Sequence, residues 1–328
     1  GTRSGSPRGQ PASAVEIAAI QVTASPIATS ALTSPQPMSV LGEEALATAR
    51  RASLGETLEN QAGVRNLSTG AGIGKPVIRG LTSNRVLILA DGQRLETQQW
   101  GDEHGPNVET ADAARVEVIR GPASVLYGSD ALGGVINVVQ RQLPDASGGP
   151  GFVRGRFTAG FASNASEPDG SLSLEGANGG FGWRGTLSGR TSGDQRTPDG
   201  RLPNTGSDIW SGSGAIGVRG GWGAFTTQYA YRNERLELFE DPEEEPDFTG
   251  FQRVNEHRFR SGLSLPVGGQ RLELDAGYER NRRREFEEAG NPEVELGLTS
   301  TTLTLDAHLH HAFGERLGGI VGVSGLRT

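Results

Sequence analysis

Three adjacent polar residues, Asp102, Glu103 and His104, form the part of the sequence with the clearest capacity for chemistry. Two carboxylates beside an imidazole supply the mixed oxygen and nitrogen ligands that a borderline cation such as Zn²⁺ prefers, whereas carboxylates alone would favour Ca²⁺ or Mg²⁺. Successive side chains of an extended segment point to opposite sides, so at most two of the three can ligate one ion. The sequence predicts a transition-metal site in this loop. The alternative is a polar loop whose histidine makes ordinary hydrogen bonds.

Other candidates for cation binding lie further along the chain. The run DPEEEPD at 241–247 could collect cations electrostatically, although such a run is also typical of a solvated loop. Together with His257 it supplies the nearest further ligands by chemistry. His308, His310 and His311 are open to either interpretation.

Enzyme motifs are absent or imperfect. Gly70–Lys75 looks like a phosphate-binding loop, but Thr69 stands where that motif requires glycine, and Pro76 follows the lysine. The sequence contains neither His-Glu-x-x-His nor Gly-x-Ser-x-Gly. Zero cysteines exclude a disulfide framework, cysteine-ligated zinc and thiol catalysis. We therefore expect that the protein is not an enzyme.

The composition of the 328 residues narrows the possible classes of protein further. Hydrophobic residues make up 34% of the chain and glycine contributes 50 positions, so a folded core is feasible. The formal charge of -8 argues against a nucleic-acid partner, which would require a basic face. The sequence has no apolar window of about 18 residues, which excludes a transmembrane helix.

Segments after residue 150 alternate between apolar and polar residues with a period of two, as β-strands do. In Arg271–Arg280, for example, Leu272 and Leu274 share one face and the charged residues share the other. The nine predicted strands are Phe152–Phe161, Ser171–Ala177, Phe181–Arg190, Gly212–Arg219, Gly223–Arg232, His257–Leu265, Arg271–Arg280, Thr302–His310 and Arg316–Gly325.

The connections between these strands alternate between short and long, with the long ones predicted at about 162–170, 191–211, 233–256 and 281–300. A membrane β-barrel sorts its connections in this way, with short turns at one rim and long loops at the other. The unpaired charges on the second face favour a wet interior over a packed sandwich core. A soluble β domain is the alternative.

Two different regions precede the strands. Residues 1–40 are rich in Ser, Thr, Pro, Ala and Gly and are predicted to form a flexible arm. The region from 41 to 143 has an α+β pattern. Its predicted helices and strands are Glu43–Arg51, Leu54–Gln61, Val77–Gly80, Val86–Ala90, Val116–Ile119 and Val135–Val139.

The most specific stretch is RVEVIRGPASVLYGSDALGGVINV at residues 115–138. It resembles the plug signature of TonB-dependent outer-membrane receptors, and VIRG at 77–80 and VLILADG at 86–92 resemble two earlier plug strands. The resemblance covers about residues 17–143 by motif and the remainder by barrel pattern. The positions that carry it are Arg79, Gly80, Asp91, Gly92, Glu117, Arg120, Gly121, Pro122, Tyr127, Gly128, Gly133, Gly134 and Asn137.

The resemblance implies an α+β plug domain followed by a transmembrane antiparallel β-barrel. The expected divisions are an arm at 1–40, a plug at 41–143 and barrel strands at 144–328. At roughly 20 residues per strand and loop the last part holds about nine strands, whereas barrels that hold a plug have about 22. The chain is therefore expected to end inside an unfinished barrel. The charged Arg79, Glu117 and Arg120 are expected to pair with charged residues of the barrel interior.

The resemblance also implies partners. Ile20, Gln21, Val22, Thr23 and Ala24 lie where such receptors carry the TonB box, which adds as a strand to an inner-membrane energy-coupling protein of the TonB type. A linker with a chance pair of β-branched residues is the alternative. The barrel would contact outer-membrane lipid, and the arm would be periplasmic.

The expected function is active uptake of a metal ion or a metal chelate, such as a siderophore complex, haem, zinc or copper. No resident cofactor is implied, and a transition metal would be bound only as cargo. Asp102, Glu103 and His104 would occupy a loop of the plug that faces the cell exterior, similar to the zinc and transition-metal branch of the family. The alternatives are a receptor that only binds its ligand, a carbohydrate cargo, and a soluble secreted enzyme.

Overall fold

Two sheets organise the chain in the computed structural model. The structure describes residues 21–22, 29–30, 36–70, 72–96, 101, 104–123, 130–245, 247–313 and 317–328. The predicted positions Ile20, Thr23, Ala24, Asp102, Glu103, Tyr127 and Gly128 lie outside these described residues.

The first part of the chain forms short elements around a mixed sheet. Its elements are β1 (Gln21–Val22), β2 (Thr29–Ser30), β3 (Met38–Gly42), α1 (Glu43–Ala49), α2 (Leu54–Leu58), β4 (Val64–Gly70), β5 (Ile73–Ile78), a 3₁₀ turn (Ser83–Arg85), β6 (Val86–Ala90), β7 (Gln93–Arg94), β8 (Ala113–Arg120) and β9 (Gly134–Gln140). The sheet has the order β3-β8-β9-β6-β7, with β6 and β9 parallel, and β4 and β5 form a separate hairpin. We call the unit from β3 to β9 the plug.

Apolar residues of both helices and the central strands form the core of the plug. Leu46, Leu58, Ile88, Val116 and Ile136 are all fully buried in one cluster. The second helix begins in a capping box, in which Ser53 and Glu56 each accept a hydrogen bond from the other's backbone N–H. Burial of the Glu56 carboxyl raises its pKa, although its bonds to Ser53 oppose that change. These elements confirm the predicted α+β pattern of the plug.

Several signature residues bond within the plug. Asn137 is fully buried, donates to Glu117 over 3.3 Å and accepts from the Gly92 backbone N–H over 3.0 Å. Arg120 donates to the Ser39 hydroxyl and the Ala62 carbonyl. Glu117 also accepts from Arg115 over 2.8 Å. The expectation that Glu117 and Arg120 pair with the barrel interior is therefore wrong, because the plug itself satisfies both side chains.

The glycine at position 134 allows β9 to approach β8 closely. A Cβ added there would stand 2.3 Å from the Ile119 carbonyl oxygen and 3.0 Å from Ile78 Cδ1. Neither neighbour can move without disturbing the core, because Ile78 and Ile119 are buried. Glycine is therefore required at this position by packing.

Replacing Gly134 with alanine is expected to destabilise the plug by about 2–3 kcal/mol, the usual cost of an added methyl group in a packed site. Hydrogen exchange of the β8 and β9 amides measures the loss. Gly148→Ala is the matched control, because nothing lies within 4 Å of its added Cβ. Equal protection of these amides in both variants would contradict the packing argument.

The rest of the chain forms one antiparallel sheet in which each strand pairs with the next. Among the described residues this sheet has nine strands, numbered in the order of the chain. They are β10 (Phe152–Ala162), β11 (Glu167–Asn178), β12 (Phe181–Ser192), β15 (Ser207–Gly220), β16 (Gly223–Glu237), β17 (Phe251–Val267), β18 (Gln270–Phe286), β19 (Leu296–Phe313) and β20 (Leu317–Arg327). A small hairpin, β13 (Arg196–Thr197) with β14 (Gly200–Arg201), decorates the connection after β12. All nine predicted strands are confirmed.

One of the four predicted long connections is absent, and the other three are shorter than predicted. The link between β10 and β11 spans only 163–166, because β11 begins at Glu167. The long connections are 193–206, 238–250 and 287–295, and they leave the same rim of the sheet. Short turns at 179–180, 221–222 and 268–269 lie at the opposite rim. The expectation of a long connection at 162–170 is therefore wrong.

The two faces of this sheet have different surroundings. One face, which we call the plug face, carries polar side chains that contact the plug, such as Arg232 and Glu234. The opposite face, the outer face, carries exposed apolar side chains, including Phe157, Leu187, Leu305 and Val323 at 73%, 63%, 67% and 74% exposure. Within the described part of the chain, no helix has the length and apolarity needed to cross a membrane.

Candidate functional site

The plug segment His104–Asp112, which we call the docking segment, joins the plug to the sheet. It comes immediately before β8, so the rigid plug sheet fixes its end. Six of its residues are buried, His104 to Val108 and Thr110, and several of its polar atoms bond to the plug face. The docking segment is therefore where plug and sheet are coupled.

Asn107 bonds to three neighbouring strands at once. Its amide donates to Glu234 of β16, and its backbone carbonyl accepts from Arg258 of β17 over 3.0 Å. Its side-chain oxygen accepts from Arg283 of β18 over 3.3 Å. Both ends of the buried amide and the backbone carbonyl bond to the sheet, so movement of the segment must break several bonds together.

Glu109 forms the main charged contact of the docking segment. One of its oxygens accepts from Arg232 over 3.0 Å, from Ser211 over 2.7 Å and from Ser188 over 3.0 Å. Burial alone would raise the pKa of this carboxyl, but Arg232, the two hydroxyls and the Ala111 N–H outweigh it and lower the pKa to about 2. Glu109 is therefore ionised at every physiological pH and stays attached to the sheet.

Asp112 forms a second charged contact at the end of the segment. It accepts from Arg141 over 2.6 Å, and Arg184 of β12 lies 3.7 Å away. Burial raises the pKa of Asp112, and the two arginines only partly oppose this change. The docking segment thus contacts the sheet from β12 to β18.

His104 begins the segment and contacts β18. Its Nε2 lies 2.6 Å from Glu285 Oε1, and its Nδ1 is buried with no hydrogen-bond partner among the described residues. The side chain is almost completely buried. In this arrangement His104 ties the docking segment to the rim with the long connections.

A second contact with the sheet comes from the turn of the β4–β5 hairpin. Ile73 packs in a buried cluster with Ala52, Ile209 of β15 and Leu236 of β16. Gly72 has a φ of +81° and lies so close to the sheet that an added Cβ would stand 3.7 Å from the Cβ of Ser207. The hairpin therefore holds the plug against the sheet in addition to the docking segment.

A cavity of about 410 Å³ lies beside the docking segment, between the plug and the plug face. Its charged lining includes Asp91, Arg94, Asp112, Arg141, Arg258 and Arg260. Such a lining suits water and charged solutes.

The predicted metal ligands are only partly described. His104 is located, whereas Asp102 and Glu103 are not, and the described residues contain no group of three His, Asp or Glu side chains that could hold an ion. His257, one of the two candidates for a further ligand, does not face the plug. Its ring lies on the outer face, bonded to the Tyr229 hydroxyl over 2.7 Å, since alternation along β17 turns it away from the plug.

The other cation candidates are separated from His104. Residues 241–245 of the acidic run are exposed in the connection after β16. His310 lies on the plug face of β19 and bonds to Glu273 over 2.6 Å. In the predicted TonB box, Gln21 and Val22 form β1 and pair with Thr29–Ser30.

The sequence did not indicate the residues that couple plug and sheet. In each bonded pair the partners lie more than 120 positions apart in the sequence, as for Asn107 with Glu234 and Glu109 with Arg232. No local sequence pattern can connect residues at such a distance. The available signal was the row of charges on one face of the strands, which predicted a wet interior without naming partners.

The fold defines a class of protein before any comparison is made. The antiparallel sheet has an apolar outer face, long connections at one rim and short turns at the other. A folded plug is bonded to its polar face. This is the arrangement of a plugged membrane β-barrel.

Comparison with known proteins agrees. The family described as TonB-dependent Receptor Plug Domain matches residues 30–135. A vitamin B12 transporter, BtuB, of Photobacterium profundum is 32% identical over 153 residues, which are 44% of this chain and 25% of that protein. An iron-regulated outer membrane virulence protein of Vibrio cholerae is 39% identical over 129 residues, 37% of this chain and 20% of that protein.

Among solved structures, a mutant of the ferric enterobactin receptor PfeA from Pseudomonas aeruginosa superposes with a TM-score of 0.68 at 17% identity. The match covers 90% of this chain and 49% of that receptor. At that identity the likeness concerns the fold alone. The chain spans about half the length of this receptor and matches a quarter or less of the two curated relatives.

The chain carries the plug domain of the TonB-dependent receptors at residues 30–135, and its fold is that of these outer-membrane receptors. It contains the plug domain and, among the described residues, nine strands of the barrel.

Proposed function

We propose that this receptor takes up a metal ion or a metal chelate, and that an inner-membrane protein of the TonB type drives the uptake by moving the plug. The observation that carries the proposal is the docking segment, which crosses five strands of the sheet and closes the space beside it. The docking segment is held mainly by hydrogen bonds and ion pairs, which exchange readily with water, so its release does not require unfolding the core of the plug.

The charged cavity supports a route for cargo. It lies directly beside the docking segment and shares Asp112 with it. Displacement of the segment would enlarge this space toward the rim with the long connections, which faces the cell exterior in barrels of this type. The coupling partner would pull from the other side, through the arm that contains β1.

Two kinds of support favour a metal cargo. The relatives named above include an iron-regulated outer membrane virulence protein at 39% identity. Within this chain, His104 opens the docking segment directly after Asp102 and Glu103, and these three residues carry ligands suited to transition metals. We propose that the metal cargo contacts Asp102, Glu103 and His104.

Vitamin B12 is the second candidate cargo, because the BtuB relative is 32% identical. Uptake by cells that express the receptor from its own gene, compared with cells lacking it, separates the candidates. We expect accumulation of a ferric siderophore, haem, zinc or copper. Accumulation of vitamin B12 alone would replace the proposed cargo, and uptake of only a carbohydrate would contradict it.

His104→Ala is expected to weaken cargo binding by at least about tenfold, as for the loss of one contact to a charged group. Glu285→Gln is the matched variant: its amide can still bond to the imidazole, so it tests the tether to β18 while leaving a possible ligand in place. Titration calorimetry with zinc chloride, and with the cargo found above, measures both variants. Equal affinities of His104→Ala and the native receptor would contradict the metal contact, and equal losses in both variants would assign His104 to the tether.

A further inference from the structure

Arginine side chains collect on the outer face of β16, β17 and β18, close to the rim with the long connections. Strand register places Arg235, Arg253 and Arg284 side by side at one level. Arg282 and Arg280 follow at the next two outer-face positions of β18, level with Asn255 and His257 of β17. Successive positions on one face are about 6.6 Å apart, so the five guanidinium groups share one surface patch. We call these five arginines the arginine patch.

The arginine patch lies at a defined depth in the membrane. The next outer-face row toward the short turns contains Tyr229, Phe259 and Tyr278, which are aligned by the strand register and are 45%, 47% and 38% exposed. Aromatic rows on the lipid-facing side of a barrel mark the membrane–water interface. The arginine patch is therefore level with the lipid headgroups on the side of the long connections.

The positive charge of the patch is largely uncompensated. Arg235 bonds to Glu237 over 2.8 Å. The other members, Arg253, Arg280, Arg282 and Arg284, form no ion pair with any carboxylate in the part of the chain that the structure describes. The Nε of Arg284 is buried and has no hydrogen-bond acceptor among those residues. Exposed guanidinium groups that lack a carboxylate partner are stabilised by an anion that supplies several acceptor oxygens.

Two aromatic rings hold the guanidinium groups of Arg235 and Arg253 in place. Phe251 and Phe286 stack with centroids 4.7 Å apart and are buried although they belong to the outer face. Arg235 lies 4.4 Å from the centroid of Phe251, and Arg253 lies 5.3 Å from that ring and 5.6 Å from Phe286. Stacking limits the motion of these side chains, so less entropy is lost when they bind an anion.

We propose that the arginine patch binds the phosphate group of an anionic lipid in the outer half of the membrane. Guanidinium groups match phosphate oxygens with paired hydrogen bonds, and the patch has the charge and depth that a phosphate headgroup requires. The acyl chains of the same lipid would cover the aromatic row below. A lipid differs from a free anion because its apolar acyl chains would contact the aromatic residues while its phosphate binds the arginines.

The test compares three probes on the receptor in neutral detergent micelles: dioctanoyl phosphatidic acid, dioctanoyl phosphatidylcholine and sodium phosphate. The native receptor is expected to bind phosphatidic acid most tightly. The variant Arg253→Gln/Arg282→Gln is expected to bind it about thirtyfold more weakly, since each arginine near an anionic surface contributes about a factor of five. The lysine pair Arg253→Lys/Arg282→Lys should recover part of the loss.

Arg196→Gln/Arg201→Gln is the matched control, because it removes two exposed arginines from the hairpin of β13 and β14, away from the patch. This control should bind phosphatidic acid as the native receptor does. Equal affinity of the native and patch variants for phosphatidic acid would overturn the proposal. Inorganic phosphate that binds as tightly as phosphatidic acid would assign a free-anion site instead, and equal binding of phosphatidylcholine would rule out recognition by charge.

Discussion

A proline at position 22 is expected to abolish uptake of the cargo while cargo binding at the cell surface stays unchanged. Val22 belongs to β1, the strand of the arm that pairs with β2. We expect the same segment to add to a sheet edge of the TonB-type partner through its backbone, and proline lacks the N–H that this pairing requires. Uptake and surface binding of a radiolabelled cargo, measured on the same cells, separate coupling from recognition.

Val22→Thr is the control for this experiment. Threonine keeps both the β-branched shape and the backbone N–H, so transport should continue at close to the native rate. Full transport by the proline variant would show that the coupling segment lies elsewhere on the arm. Loss of surface binding in the proline variant would show that the arm contributes to recognition, which our account does not allow.

The strands of the barrel could be predicted because their signal is local. Alternation with a period of two follows directly from the geometry of a strand that has lipid on one side and water on the other. All nine strands could be predicted in this way, and the resemblance of residues 115–138 to the plug signature indicated the plug that precedes them.

The ends of the strands could not be predicted in the same way. β17 begins at Phe251, six positions before the predicted start at His257, and β18 continues to Phe286 instead of ending at Arg280. Between the row of Tyr229, Phe259 and Tyr278 and the rim with the long connections, the outer face carries polar residues such as Asn255 and Arg282. Both faces then carry polar residues, and the alternation disappears although the strands continue.

Contacts between distant parts of the chain could not be predicted from the sequence either. Glu109 is ionised and bonded to Arg232, yet its sequence neighbourhood does not differ from that of an exposed loop residue. Conversely, Glu117 looked like a partner for the barrel, but Arg115 and Asn137 satisfy it inside the plug. The resemblance identified the fold, whereas the partners of individual charges depend on packing that only the structure describes.

The central claim is that the docked plug must move away from the sheet for cargo to pass. A disulfide between Gly72→Cys and Ser207→Cys tests it, because an added Cβ at position 72 stands 3.7 Å from the Cβ of Ser207. Disulfides span Cβ separations of about 3.5–4.5 Å. The native chain contains no cysteine, so the engineered pair has no competing thiols. Leu236 Cδ2 would have to shift, since it lies 2.7 Å from the added Cβ.

The measurement is cargo uptake by cells carrying the double variant, before and after reduction, with each single cysteine variant as a control for the strained position 72. Our account predicts that the oxidised receptor binds cargo but transports none, and that a reductant restores transport to the level of the single variants. Undiminished uptake by a fully cross-linked receptor would contradict it.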